Sequence, residues 1–386
     1  MADGEGETEA GAVLHGDVLD LTLSYVPLVD LVSASRVSCS WRDAVFFSPR
    51  HLGWRRPWLL VYYQTIMPPH TISVRAYDPR SRVWMDLEAG PGGRSAILTA
   101  MPLLLRSSHS ALLYGKYGRL SFSSDPLHLR WHHASCPSVN RSYPVVALVG
   151  SRLVVAGGTY FDHDSPPVEV YDMRTRTWSA CYSMPVSLRI SCASLWHSVA
   201  TDGRRMYVME TLTGRMHTFD PDTGAWLQPY DLRPDRHVFY SLMGFAGDRL
   251  VVVGVLGNVH DLKGVKVWGS MGVGVGADEL EEMCAMPEEL LIELQDEMYY
   301  VSNMSMSSSK NFLYLHSDSS PLLVFWCGRE DKSGAWRWGT TRDAAARDRN
   351  LRNWVAYTCA EVGIGELQKA AATGNGRFVV TTAEGR

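Results

Sequence analysis

The sequence predicts a mainly β chain, six small antiparallel sheets stacked radially into a propeller, with a short block of three helices in front. Three observations predict it. Trp84, Trp131, Trp178 and Trp226 recur at spacings of 47, 47 and 48 residues. Most close the same motif, an alternating strand, an aromatic-Asp turn and a second strand. Apolar residues at three- and four-residue intervals mark residues 14–45 as helical.

At 386 residues and 46% hydrophobic content, the chain can fill more than one core. A net charge of −4 gives no basic footprint for nucleic acid. No apolar run reaches the ~18 residues that would suggest a membrane span. Residues 1–13, "MADGEGETEAGAV", read as a disordered acidic tail without the basic end or apolar stretch of a signal peptide. Cys39, Cys136, Cys181, Cys192, Cys284, Cys327 and Cys359 are scattered and odd in number, with no CxxC pair. That pattern fits a reducing cytoplasmic or nuclear setting better than a disulfide framework.

The helical block spans residues 14–55. Val18, Leu19, Leu23 and Val26 line one apolar stripe, and Leu28, Leu31 and Val32 begin another. Asp17 and Asp20 can cap the first helix, and Pro27 separates it from the second. Ser40 and Asp43 predict a capping box for a third helix carrying Trp41, Ala44 and Val45. Three short helices cannot enclose a sufficient core, so this block is expected to borrow a partner's apolar surface.

Residues 56–386 carry the repeats. "VRAYDPRSRVWMDL" from Val74, "VEVYDMRTRTWSAC" from Val168 and "MHTFDPDTGAWLQP" from Met216 align as strand, turn and strand. Tyr77, Tyr171 and Phe219 each precede their tryptophan, Trp84, Trp178 and Trp226, by seven residues. A weaker copy holds Trp131. A fifth copy places Trp268 in the aromatic slot and Leu280 in the tryptophan slot, and a sixth ends on Trp336. Gly157-Gly158 closes a Gly-apolar strand ahead of the third copy. One such sheet cannot bury both faces, so the copies must stack into a ring. The last strand, "GRFVVTTA", is expected to close that ring by completing the first blade, the alternative being a seventh blade from residues 350–386.

The Gly-Gly, Tyr-Asp and Trp order resembles kelch repeats. The front block resembles an F-box in Leu14, Asp17, Leu19, Leu23-Ser24, Pro27, Asp30-Leu31, Val37, Trp41 and Arg42. It departs at His15, where the motif has proline, and at Ser38, where it has cysteine. F-box followed by kelch propeller is similar to a large plant family of substrate receptors of Skp1–cullin–F-box ubiquitin ligases. The resemblance implies a non-enzymatic adaptor without cofactor or metal. It implies that Leu14, Leu19, Leu23, Pro27, Leu28, Leu31, Val37 and Trp41 dock on a Skp1-like adaptor and, through it, a cullin. It also implies a recognition face on the loops after the diglycine strands and between blades. Carried onto this chain, these give Tyr160, Asp162, His163, Asn258, His260 and Asp261, then Arg141, Tyr143, Arg189, Arg233 and Arg236. Relatives that receive phenylpropanoid or flavonoid biosynthetic enzymes make such an enzyme a candidate target.

Competing constellations are weaker. "GVGVGA" (272–277) resembles a dinucleotide loop, but the repeat places it in a turn and Asp278 and Glu279 would oppose a pyrophosphate. His132 and His133 point to opposite faces of a strand, and "FDHD" (161–164) has no further ligand set. "MSMSSSK" (304–310) reads as a mobile loop, and "MPEELLIELQDEM" (286–298) as a short helix or strand. A propeller metal oxidase would need clustered Tyr, His and Cys. A kelch scaffold that does not assemble with Skp1 is the remaining alternative.

Overall fold

The computed structural model describes residues 16–47, 56–65, 72–87, 103–108, 111–116, 119–123, 125–128, 132–135, 137–139, 141, 144–158, 167–189, 196–270, 280–297, 301–317, 323–330, 333–343, 353–373 and 379–381. The chain divides into two compact units, Met1–Arg55 with Gly363–Lys369, and Arg56–Val362 with Ala370–Arg386.

The first unit contains α1 (Gly16–Ser24), α2 (Leu28–Ala34) and α3 (Cys39–Phe47). Pro27 separates α1 from α2 as expected: it has no N–H to continue α1, and its carbonyl accepts from Asp30 and Leu31 at the start of α2. The cap of α3 is Ser38, whose hydroxyl accepts the Trp41 N–H at 3.2 Å; the predicted Ser40 lies inside the helix. Leu19, Leu23, Leu31 and Val45 form the core of this unit together with Ile364. Ile364 begins the last helix, Ile364–Thr373, whose Glu366 carboxylate accepts the Gly363 N–H. Gln368 donates to Ser35 Oγ at 3.3 Å. The segment 363–369 therefore supplies apolar and polar contacts that three short helices lack.

The second unit is β-rich, and its sheets follow the repeats. The first sheet takes β1 (Trp58–Thr65), β2 (Ile72–Asp78) and β3 (Val83–Leu87); the next takes β4 (Leu103–Ser108), β5 (Ala111–Lys116), β6 (Arg119–Ser123) and β7 (His132–Ser135). The third has β8 (Val145–Val149), β9 (Arg152–Ala156), β10 (Pro167–Asp172) and β11 (Thr177–Ser183). The fourth has β12 (His197–Thr201), β13 (Met206–Glu210), β14 (Arg215–Asp220), β15 (Ala225–Trp226) and β16 (Tyr230–Asp231). The fifth has β17 (Val238–Ala246), β18 (Arg249–Asn258), β19 (Asp261–Ser270) and β20 (Leu280–Ala285). The sixth has β21 (Met304–Ser309), β22 (Phe312–Ser317), β23 (Leu323–Arg329) and β24 (Trp336–Arg342).

Two late strands, β25 (Asn353–Ala360) and β26 (Val379–Thr381), join the first sheet in the order β25-β1-β2-β3-β26. All pairings are antiparallel, and β25, β4, β8, β12, β17 and β21 neighbour one another around a propeller arrangement. Six blades were expected. The strands pair into six sheets, and among the described residues five of these carry full apolar cores.

The closing strand also differs. The first sheet receives its innermost strand from β25, paired with β1 from Trp58↔Ala360 to Thr65↔Asn353. The "GRFVVTTA" segment instead adds β26 to the outer strand β3. Chain from 353 onward contributes strands to the first sheet, not a seventh blade.

The repeat spacing has a direct cause. Tyr77, Tyr171 and Phe219 lie opposite Trp84, Trp178 and Trp226 across the strand pair, with ring centroids 5.2 Å apart in each. The intervening Asp78, Asp172 and Asp220 each accept the N–H two residues on. Four residues after each Asp, Arg82, Arg176 and Gly224 take left-handed φ values of 57°, 59° and 66°. Trp131 lies outside the described residues.

In the fifth sheet the strands stay paired two residues beyond the predicted turn, with a bulge at Val267/Trp268. Leu280 therefore faces Ser270, and Trp268 faces Glu282. Trp336 faces Arg329. "MSMSSS" is the innermost strand β21, not a loop. Small side chains fit where inner strands converge: a Cβ on Gly244 would collide with Ser308 Oγ. Residues 288–297 form a helix, His132 and His133 are exposed on an outer strand, and "GVGVGA" and "FDHD" lie outside the described residues.

The last and first sheets are joined by an ionic cluster. Arg75 lies between Asp86 and Asp343, each at 2.8 Å, with the arginine 2% and Asp343 1% exposed. Trp84 Nε1 donates to Thr341 Oγ1 at 3.0 Å across the same seam. Arg75→Met leaves the Asp343 charge buried without its cation, and is expected to cost about 3–5 kcal/mol. Urea unfolding checks this; an unchanged midpoint would remove Arg75 from the seam.

Two buried imidazoles set a pH dependence. Burial pushes His128 down to about 4 and His316 down to about 3. His128 Nε2 lies 3.0 Å from Thr358 Oγ1, and His316 Nε2 lies 3.0 Å from Ser307 Oγ. Both are neutral in the fold, whereas the unfolded chain takes up protons near 6.5. Stability is thus complete above that value and is lost as pH falls toward 4, by about 2 kcal/mol per imidazole between pH ~7.5 and ~5. His128→Gln/His316→Gln should flatten the decline in urea midpoint over that range; an equally steep decline would place its origin elsewhere.

Candidate functional site

On the β unit, the connection from β16 to β17 and the ends of β18 and β19 enclose a cleft of about 540 Å³. It is lined by Leu212, Arg233, Arg236, His237, Val238, Phe239, Leu256, Gly257 and Lys263. Buried Leu232 anchors the connection, and its N–H donates to Gly214 O at 2.9 Å. Gly214 has φ +74°, and a Cβ there would lie 3.1 Å from the Arg233 backbone nitrogen.

Two aspartates shape the connection. Asp231 accepts the Arg233 N–H at 2.9 Å, and Asp235 accepts the His237 N–H at 2.8 Å with the His237 ring Nδ1 2.9 Å away. The His237 backbone N–H, with its ring, holds the Asp235 carboxyl below its usual range. Arg233 donates to Leu212 O at 2.8 Å, fixing its guanidinium over the cleft. Arg236 is exposed and has no hydrogen-bonding or ionic partner among the described residues. In the turn beyond Gly257, Asn258 accepts the His260 N–H, and Asp261 pairs with Lys263 at 2.6 Å.

The predicted recognition residues separate into three groups. Arg233 and Arg236 line the cleft, with Asn258, His260 and Asp261 in the adjoining turn. Arg141 is corrected. Its guanidinium is 3% exposed, pairs with Glu169 at 3.0 Å, and donates to Gly157 O and Pro167 O, so it is internal to its sheet. Burial lowers its pKa, while hydrogen bonds from Ser138 and Arg141 outweigh burial to hold Glu169 below its ordinary value. The carbonyl of Gly157, which like Gly158 has positive φ, is one of the groups Arg141 satisfies. Tyr143, Tyr160, Asp162 and His163 lie outside the described residues. Arg189 ends a short helix, and its side chain lies outside them too. Leu212, His237 and Lys263 were missed, although Lys263 follows the predicted turn by two residues.

In the helical unit, Leu19, Leu23 and Leu31 are 1%, 1% and 0% exposed. They fill the unit's own core, so their expected role in a partner's groove is corrected. Leu28 and Trp41 are half-buried against that core, Pro27 is half-buried, and Leu14 lies outside the described residues. Val37 is 63% exposed. Val18, Leu21, Tyr25 and Phe47 are likewise exposed, and Val18, Leu21 and Tyr25 recur at the helical interval of three and four. That spacing was visible in the sequence but was overlaid by the inward stripe of Leu19 and Leu23.

Among the described residues, no three His, Cys, Asp or Glu side chains gather as a metal site. No helix among them is long and apolar enough to cross a membrane.

Comparisons with known proteins agree with this division. The family model for the F-box domain matches residues 14–51, and that for the Kelch motif matches residues 140–185. An F-box/kelch-repeat protein of Arabidopsis thaliana is 34% identical, over 98% of this chain and 96% of its own length. A second F-box/kelch-repeat protein of Arabidopsis thaliana is 23% identical, over 88% of this chain and 87% of its own. A chain in the crystal structure of a nidogen/laminin complex gives a TM-score of 0.43 at 11% identity, over 79% of this chain and 99% of that one, and carries no weight in the fold reading. With near-complete coverage by a relative at 34% identity, the chain belongs to the F-box/kelch-repeat protein family.

Proposed function

We propose that this chain is the substrate-recognition subunit of a Skp1–cullin–F-box ubiquitin ligase. The observation that carries the reading is the apolar surface left on the helical unit. After Leu19, Leu23, Leu31 and Val45 have filled its core, Val18, Leu21, Tyr25, Val37 and Phe47 stay exposed by 47–81%. A helix that presents a second apolar stripe to water is suited to lie in a partner's groove. A Skp1-like adaptor is the partner implied by the F-box.

In this reading the chain performs no covalent step. It raises the effective concentration of a target's lysines beside a ubiquitin-charged enzyme held elsewhere in the assembly. The β unit supplies the target site, with the cleft at Arg233 and Arg236 as a candidate. A phenylpropanoid or flavonoid biosynthetic enzyme remains the first target class to test, and the cytoplasm or nucleus the proposed setting.

Binding of purified Skp1-like adaptor to the full chain tests the proposal. Leu21→Glu/Val37→Glu should leave the thermal midpoint near that of the wild type, because both side chains already face solvent. It should weaken the adaptor at least about 30-fold, the loss of roughly 2 kcal/mol of apolar docking. Leu31→Ala should behave differently, lowering stability by about 2–5 kcal/mol through a core cavity. A well-folded wild type that fails to bind would leave the kelch scaffold reading in its place, and a double variant that binds equally well would remove Leu21 and Val37 from the docking face.

A further inference from the structure

We infer that the cleft beside Arg233 and Arg236 takes an acidic segment of a protein target, one apolar side chain on its floor and flanking carboxylates on the two guanidiniums. The inference rests on the proposal that the β unit binds a protein target, and it names the chemistry of what is bound. It concerns residues Leu212 to Lys263 alone, and the helical unit takes no part in it.

Charge complementarity selects the occupant. Arg233, Arg236 and Lys263 line the cleft together with His237, and no carboxylate is among the lining residues. The nearby acids are already engaged. Asp261 pairs with Lys263, Asp235 accepts from His237, and Asp231 accepts the backbone N–H of Arg233. Lys263 is thereby neutralised locally, which leaves the two arginines as the available cations. The cationic excess is confined to the lining itself, since Asp231, Asp235 and Asp261 keep their charge close by and the whole chain carries a net charge of −4.

Geometry narrows the occupant further. Arg233 uses one terminal nitrogen on Leu212 O, so its guanidinium is positioned while its other N–H groups remain for a ligand. A planar guanidinium matches a carboxylate through two parallel hydrogen bonds, which a point charge such as lysine cannot do. The floor between the charges is apolar, built from Leu212, Val238, Phe239 and Leu256. A volume of about 540 Å³ falls within the range of pockets that enclose a small group, and fits one large apolar side chain with its flanking backbone. Phe239 is the one Phe, Tyr or Trp of the lining, so a platform for stacking several bases is lacking there.

The test uses the full chain and fluorescent pentapeptides with one Leu, Ile, Val, Met, Phe or Tyr between glutamate pairs. Matched peptides carry glutamine, or phosphoserine, in place of glutamate. Anisotropy titrations are read at ~50 mM and ~500 mM salt. At least one glutamate peptide is expected to bind, about tenfold tighter than its glutamine counterpart, and to weaken at the higher salt. Arg236→Ala, which removes a side chain with no partner among the described residues, should weaken it about tenfold. Arg233→Ala/Arg236→Ala should abolish the preference for glutamate over glutamine.

Equal binding of glutamate and glutamine peptides, unchanged binding by the double variant, or no binding by any glutamate peptide would overturn the inference. So would a phosphoserine peptide bound more than tenfold tighter than its glutamate counterpart, because the site would then select phosphate. Adaptor capture by the same preparation separates the two readings. Adaptor binding without peptide binding overturns the cleft inference alone, and peptide binding without adaptor binding overturns the ligase reading alone.

Discussion

The β unit depends on joining the last innermost strand to the first sheet. A four-stranded sheet has two faces and two edges, and neither can be covered from within the sheet. Neighbouring sheets cover the faces, so a ring is stable only if its last and first members meet. Here β25 pairs with β1 along eight residues, and Arg75 is held between Asp86 on its own sheet and Asp343 after β24. At the seam, sequence-distant chain is brought together by an ionic cluster shielded from water. An ion pair of that kind adds little stability of its own, but breaking it leaves a charge in a site where solvent cannot reach.

Arg75 occupies a position that recurs. It lies two residues before Tyr77, as Glu169 lies two before Tyr171 and His217 two before Phe219. Each of these side chains reaches chain that precedes its sheet. Arg75 meets Asp343, Glu169 accepts the Ser138 N–H at 2.7 Å, and His217 lies 3.0 Å from Ser187 Oγ. Cys327, two before the Arg329 that faces Trp336, lies 3.4 Å from Cys284 of the preceding sheet. The chemistry differs among these four copies while the direction of contact is kept, whereas in the fifth sheet Lys266 at this position pairs with Glu282 of its own sheet. A third-strand side chain facing the previous connection can hold it by an ion pair, a hydrogen bond or thiol packing, so the repeat tolerates wide sequence drift at this point.

This explains which parts of the fold and sites were legible in the sequence. The Tyr-Trp spacing was legible because it encodes a cross-strand pair and a turn, both local. Helices 16–24, 28–34 and 39–47 were legible from apolar spacing and Pro27. Ring closure by residues 353–360 was not, because "NWVAYTCA" has no partner motif in its own vicinity and pairs with strand Trp58–Thr65. Arg141 was misassigned for a related reason. In sequence it is an arginine in a polar connection, and only the fold brings Glu169 and the carbonyls of Gly157 and Pro167 around it. Leu19, Leu23 and Leu31 were read as docking residues because sequence shows that a residue is apolar, not which of two apolar stripes turns inward.

The same distinction separates structural from recognition arginines on the β unit. Arg141 and Arg75 have their charge met by buried carboxylates, so nothing remains for a ligand to neutralise. Around Arg233 and Arg236 the aspartates are spent on backbone N–H groups and on Lys263, and the guanidiniums stay in water beside an apolar floor. Desolvating an arginine is costly unless an anion replaces its water. A connection that folds by satisfying its own N–H groups with Asp231 and Asp235 therefore leaves its guanidiniums to water, which a carboxylate can replace. That division of roles, acids for the turn and guanidiniums for solvent, gives the cleft a preference for acidic ligands without any strain in the fold.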